Sequence, residues 1–172
     1  MKELKGDLFS IPCDAICIST NGFVKNNGEC VMGRGCAKQA ADYFPEIPKL
    51  LGSNIRANGN NVTHLNDYCG VGIVAFPVKP ETKSYMGSKC EVVKHMQSKF
   101  SIGDRVPGWA CVADIELIKK SAVQLVKLTD KEGWEKVLIP RVGAGYGELD
   151  WKDIKPVLDE ILDDRFTSVT FK

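Results

Sequence analysis

Residues Ile139 to Trp151 read Ile-Pro-Arg-Val-Gly-Ala-Gly-Tyr-Gly-Glu-Leu-Asp-Trp. An apolar run, Val137-Leu138-Ile139, stops at Pro140, and Gly143, Gly145 and Gly147 alternate behind it. A helical pattern then starts near Asp150. A strand, a glycine bend and a helix start in that order can seat a phosphate. Glycine lets the backbone come close to the ligand, and free N–H groups at a helix start attract negative charge. A second glycine-rich bend runs from Gly28 to Gly35. Two such bends on one sheet suit a ligand carrying two phosphates.

The elements that must hold these bends are legible in part. Residues 2–5 suit a short strand. Ala15 to Thr20 is an apolar run bounded by Asp14 and Asn21, the pattern of a buried central strand. Gly35 to Tyr43 reads as a helix, with Ala37, Ala40, Ala41 and Phe44 on one side and Pro45 as its stop. Asn58 to Asn61 is turn material, and Val62–Tyr68 and Val71–Val78 read as strands joined by a tight turn at Gly70. Asp114 to Lys131 is an amphipathic helix that Asp114 can cap. Lys136–Pro140, Asp150–Leu162 and Phe166–Phe171 read as strand, helix and strand, with Pro156 marking a kink or a later start. Between them, residues 79–113 read as a long loop or insertion with a short helix around Glu91 to Ser98. The alternation predicts an α/β fold with a largely parallel sheet and helices on both faces. Both bends follow strands, so both can meet at the carboxyl edge, where ligands bind in such folds.

Composition narrows the classes. The 172 residues suit a single domain spanning 1–172. Lys and Arg number 23 against 22 Asp and Glu, so no long-range field would gather nucleic acid and any contact with it must be local. No apolar run reaches a membrane span, and the first residues hold no signal-peptide apolar region. The seven cysteines form no C-x-x-C pair and several sit inside apolar runs, which predicts a reducing, cytoplasmic setting. With only His64 and His95 available, no metal site is expected. No cofactor is expected either. A generic nucleotide hydrolase is disfavoured, because no G-x-x-x-x-G-K-[ST] loop is present.

Four motifs in order carry a resemblance. Gly6-Asp7-Leu8, the strand Asp14-Ala15-Ile16-Cys17-Ile18-Ser19-Thr20-Asn21, the bend Val31-Met32-Gly33-Arg34-Gly35-Cys36-Ala37 and the bend Pro140 to Gly147 resemble the macrodomains, the ADP-ribose-binding modules. The resemblance runs from about residue 5 to the end, apart from 79–113. It implies a three-layer α/β/α macrodomain with a mixed, largely parallel central sheet. Phe76-Pro77-Val78-Lys79, Asp114-Ile115-Glu116-Leu117-Ile118 and Gly147-Glu148-Leu149-Asp150-Trp151 are most similar to the branch of antitoxin macrodomains and terminal ADP-ribose glycohydrolases.

The resemblance implies the following roles. Asp7 accepts from the adenine amino group, with Leu8 beside it. Asn21 bonds the distal ribose. Gly33, Gly35 and Cys36 on one side and Gly143, Ala144, Gly145, Tyr146 and Gly147 on the other hold the diphosphate through backbone amides. Lys79 occupies the place of the lysine that removes ADP-ribose in that branch. One departure stands out: protein-directed members carry an aspartate where this chain has Gly147. The expected partner is ADP-ribose or an ADP-ribosylated DNA base, protein side chain or phosphate, bound by a monomer. Non-catalytic binding and dephosphorylation of ADP-ribose-1″-phosphate remain open beside hydrolysis. His64 and His95 are expected in structural roles, Trp151 as packing, and Phe171 either in the core or as an apolar wall near adenine.

Overall fold

Apolar side chains alternate in direction along the central strands, and that alternation builds the fold. A computed structural model describes residues 1–171. Its elements are β1 (Lys2–Lys5), β2 (Ala15–Asn21), α1 (Gly35–Tyr43), α2 (Ile47–Asn58), β3 (Thr63–Tyr68), β4 (Val71–Lys79), β5 (Thr82–Ser84), β6 (Arg105–Pro107), α3 (Ile115–Glu132), β7 (Val137–Pro140), α4 (Trp151–Ile161) and β8 (Phe166–Thr170). Ala15 and Cys17 of β2, Val74 and Phe76 of β4, and Val137 and Ile139 of β7 face α3 and α4, meeting Ile118, Leu125, Ile154 and Leu158. Ile16 and Ile18, Ile73 and Ala75, and Leu138 face the other way onto Ala37, Ala40, Ile47, Leu51 and Ile55 of α1 and α2. Strands buried on both faces read as continuous apolar runs, as these do.

The six-stranded sheet has the order β1-β8-β7-β2-β4-β3. Five strands are parallel, and β3 pairs antiparallel with β4 through the turn at Cys69-Gly70. Sheet and helices form the three layers that the sequence led us to expect. The connection from β2 to β4 leaves on one side and that from β4 to β7 on the other. The carboxyl ends of β2, β4 and β7, at Asn21, Lys79 and Pro140, therefore lie side by side at a switch point of the topology.

Three local differences from the sequence reading matter. Helix α2 fills Ile47–Asn58, where no helix was expected beyond Pro45. The helix expected near Glu91–Ser98 is a 3₁₀ turn over Lys94–Lys99. The segment from residue 80 to 113 is not plain loop: β5 and β6 pair antiparallel, and Val92, Val106, Ala110 and Cys111 make a small core of their own. The cap expected at Asp114 is present, and Asp150 caps α4. The Asp114 carboxylate accepts from the amides of Glu116 and Leu117, and that of Asp150 from Lys152. Pro156 lies inside α4 rather than at its start.

Candidate functional site

The two glycine bends meet above the carboxyl ends of β2, β4 and β7 around one cavity of about 530 Å³. That volume lies in the range of small-molecule sites. Contact between the bends is made by Tyr146. Its ring lies 3.6 Å from where a side chain on Gly35 would begin, and the Arg34 guanidinium stands 5.2 Å from the ring centre. Tyr146 and Arg34 thus bridge the mouth of the cavity from opposite bends.

Backbone amides are the main polar groups offered. Among the described residues, the N–H groups of Gly33, Arg34 and Gly35 have no hydrogen-bond partner, those of Cys36 and Ala37 face the Cys36 sulfur, and Gly35 to Ala37 form the first turn of α1. On the facing bend, the N–H groups of Gly143, Gly145, Tyr146 and Gly147 are likewise free, whereas that of Ala144 donates to the Arg141 carbonyl. Free amides at a helix start carry partial positive charge. The ionisable side chains lining the cavity include Arg34, Lys79, His95 and Arg141, and no Asp or Glu lines it. The cavity is built for an anion.

Packing fixes the second bend. Gly143 has φ 76°, and a Cβ there would lie 2.8 Å from Ile118 Cδ1. A Cβ on Gly147 would lie 2.5 Å from the Gly143 carbonyl oxygen and 2.8 Å from Ala113 Cβ. An aspartate side chain therefore has no room at this position. Gly33 and Gly145 differ: no atom lies within 4 Å of a Cβ built on either, so their open side is left to the ligand.

Lys79 ends β4 at the edge of the cavity. Its ammonium donates to the Tyr146 carbonyl at 3.1 Å and to the Trp109 carbonyl at 3.4 Å. Burial holds its pKa below the ordinary lysine value. Cys111 and then Glu148 oppose it, and Arg34, the smallest influence, pushes the same way as burial. An amine with a lowered pKa is a better nucleophile near neutrality. Cys36 also lines the cavity, but burial raises its thiol pKa, and its sulfur accepts from the Ser19 amide at 3.4 Å. Cys36 is a protonated wall.

The remaining sequence candidates are placed as follows. Asn21 lines the cavity, with its amide held by the Val31 carbonyl at 2.9 Å and by the Phe23 N–H at 2.9 Å. Asp7 and Leu8 lie outside the lining. Asp7 accepts from the Phe9 amide and the Ser10 hydroxyl, and Leu8 is buried under α1 and α2. Phe171 is 73% exposed, so it is not a core residue. Trp151 donates to Glu3 and stacks under Arg141, which is a packing role. His64 pairs with Asp67 at 2.8 Å and lies away from the cavity. His95 does not take the structural role expected of it, because it lines the cavity with Val93, Met96 and Trp109 of the 80–113 segment. Nothing in the local pattern around His95 announces this. The segment's own small core brings it there. No group of three or more His, Cys, Asp or Glu among the described residues is arranged to hold a metal.

A three-layer α/β/α molecule with two amide-lined bends at the switch point of its sheet has the architecture of a macrodomain. Solved structures agree: the chain has the macrodomain fold. The macrodomain of Mycobacterium tuberculosis DarG is similar at TM-score 0.68 and 17% identity, covering 98% of this chain and 95% of that one. The macrodomain of Thermus aquaticus DarG is similar at TM-score 0.68 and 19% identity with the same coverage. Thermosipho africanus DarTG in complex with ADP-ribose is similar at TM-score 0.68 and 17% identity, covering 98% of this chain and 41% of that one. No protein-family model and no curated protein sequence matches the chain significantly.

Proposed function

We propose that the protein binds ADP-ribose and hydrolyses an ADP-ribosyl linkage. The observation that carries this reading is the convergence of two sets of unpartnered amides on one carboxylate-free cavity with Lys79 at its edge. The likeness to a DarTG structure solved with ADP-ribose supports the choice of ligand. The first-bend amides, at the start of α1, and those of Gly143, Gly145, Tyr146 and Gly147 take the diphosphate from two sides. The distal ribose then lies toward Asn21 and Lys79, where the amine attacks C1″ or holds charge as the glycosidic bond breaks. Asp7 and Leu8 remain candidates for the adenine end, which projects beyond the cavity toward the end of β1.

A calorimetric titration with ADP-ribose, beside AMP and NAD, tests the binding. Gly145→Val fills the open side of the bend without meeting protein atoms near its Cβ. We expect it to lower ADP-ribose affinity by about 100-fold or more, equivalent to the loss of one or two charge-assisted hydrogen bonds, with little change in melting temperature. Unchanged affinity would remove the diphosphate from this bend. Turnover is tested on ADP-ribosylated DNA, ADP-ribosylated protein and ADP-ribose-1″-phosphate. Lys79→Ala should abolish it while ADP-ribose still binds. If the wild-type protein binds and cleaves none of the three, the module is a non-catalytic ADP-ribose binder.

A further inference from the structure

Three consecutive residues of the second bend hold the 80–113 segment at three points. The Tyr146 carbonyl accepts from Lys79 Nζ at 3.1 Å, where the segment begins. The Gly147 carbonyl accepts from the Ala113 N–H at 2.9 Å, where it ends. Between them, the Glu148 carboxylate accepts from the Lys94 N–H at 2.9 and 3.3 Å. Glu148 has φ 62°, a left-handed conformation that is unfavourable for a residue with a side chain. Strained backbone of this kind persists where surrounding contacts over-determine it, and it clusters at functional sites. Here the strain aims a carboxylate at one backbone amide.

That amide precedes His95. The Val93 N–H is fixed to the Ala110 carbonyl at 2.9 Å, and the Met96 N–H to the Val93 carbonyl at 2.9 Å. The Gln97 side chain donates to the carbonyls of Lys89 and Val92. His95 therefore stands on a pinned turn. Its own ring is exposed and makes no hydrogen bond, ion pair or ring contact among the described residues. Val93, His95, Met96 and Trp109 line the same cavity as Lys79, so they offer a wall to the group linked to a distal ribose placed at Lys79. His95 is the one side chain of those four able to give and take a proton.

We propose that His95 donates the proton to the leaving group, and that Glu148 positions it through the Lys94 amide. The proposal rests on the hydrolytic reading above. As the bond from C1″ to the linked atom breaks, the imidazolium passes its proton to that atom. Water adds its oxygen to C1″ and returns one proton to the imidazole. The products are ADP-ribose and the protonated leaving group, and no oxidant or metal is consumed.

The experiment compares two kinds of substrate. One is whichever of ADP-ribosylated oligonucleotide or serine-linked ADP-ribosylated peptide the wild-type protein cleaves faster, because their leaving groups are too basic to depart without a proton. The other carries 4-nitrophenolate at C1″, a group that departs without a proton. His95→Gln is expected to lower kcat on the first by about 100-fold or more, the usual scale of general acid catalysis. On the nitrophenyl substrate it should change kcat by less than about 3-fold, with KM and ADP-ribose affinity unchanged. Glu148→Ala should show the same split more weakly, and Glu148→Gln, which keeps an acceptor for the Lys94 N–H, should restore kcat. A merely structural role would depress both substrates together and lower the melting temperature. Equal losses on the two substrates, or none on either, would overturn the assignment while leaving the hydrolytic reading intact. A wild-type protein that binds ADP-ribose and cleaves nothing would sink both this assignment and the hydrolytic reading. Absence of ADP-ribose binding would remove the whole functional reading.

Discussion

At the scale of single residues, two glycines and a lysine make opposite demands. Gly145 faces open space and Gly147 faces its own bend, so equal enlargements should separate binding from folding. Gly147→Asp forces a side chain against the Gly143 carbonyl and Ala113. It should destabilise the fold by about 1–3 kcal/mol or more, the cost of overpacking, measurable in denaturant unfolding. Wild-type stability in Gly147→Asp would refute that packing. Lys79 is under tension of another kind. Its folded pKa lies below the unfolded one because burial disfavours the charged amine. Between those two values the unfolded chain binds more protons, so stability from this group rises with pH across that window. The penalty is full below the folded pKa and gone above the ordinary lysine value. Lys79→Met should therefore be more stable than wild type at neutral pH, and the gain should shrink as pH climbs through the window. A difference that stays constant with pH would mean that Lys79 is not desolvated. This penalty sits at the cavity edge, where stability is commonly given up for activity.

At the scale of elements, what was legible depended on where the deciding contacts lie. β2, β4, β7, α1, α3 and α4 carry their own signals: apolar runs, helical periodicity and the caps Asp114 and Asp150. No element was read over helix α2, a stretch that contains Pro48 and Gly52. Pro48 stands in the first turn, where its missing N–H costs nothing, and Gly52 is there because any Cβ would collide with the Gly28 carbonyl. Neither reason is visible in the local sequence. The glycine bends were legible from order and spacing and Lys79 only through the resemblance, whereas Val93, His95, Met96 and Trp109 reach the cavity only through tertiary packing of the 80–113 segment. That segment has its own small core, so it should loosen independently of the sheet. Val106→Ala should raise amide hydrogen exchange in residues 82–111 by about 10-fold or more, while protection of β2 and β7 stays at wild-type level. A uniform rise across both would show that segment and sheet unfold as one unit.

At the scale of the whole molecule, a nearly neutral chain conceals an uneven distribution. Residues 79–113 hold six of the 23 basic side chains and three of the 22 acidic ones, leaving 17 basic and 19 acidic elsewhere. The segment is the basic part of a molecule that is otherwise slightly acidic. Lys83, Lys89 and Lys94 line a second groove on this segment, bounded on its far side by Asp114 and Glu148, and none of the three lysines is in an ion pair among the described residues. The wall carrying His95 separates this groove from the amide-lined cavity, since Lys94 lines one and His95 the other. A polymeric linked group that leaves the cavity along that wall passes this groove. If the polymer is a nucleic acid strand, its phosphates reach the three lysines and release counterions. Each neutralised phosphate of a single strand contributes about −0.7 to the slope of log affinity against log salt. Turnover of an ADP-ribosylated oligonucleotide under kcat/KM conditions should then fall with a slope of about −2, and the Lys83→Ala, Lys89→Ala, Lys94→Ala triple variant should flatten it. Turnover of an ADP-ribosylated neutral peptide should show little salt dependence in either protein. A flat profile for the oligonucleotide in the wild-type protein would confine recognition to the amide-lined cavity.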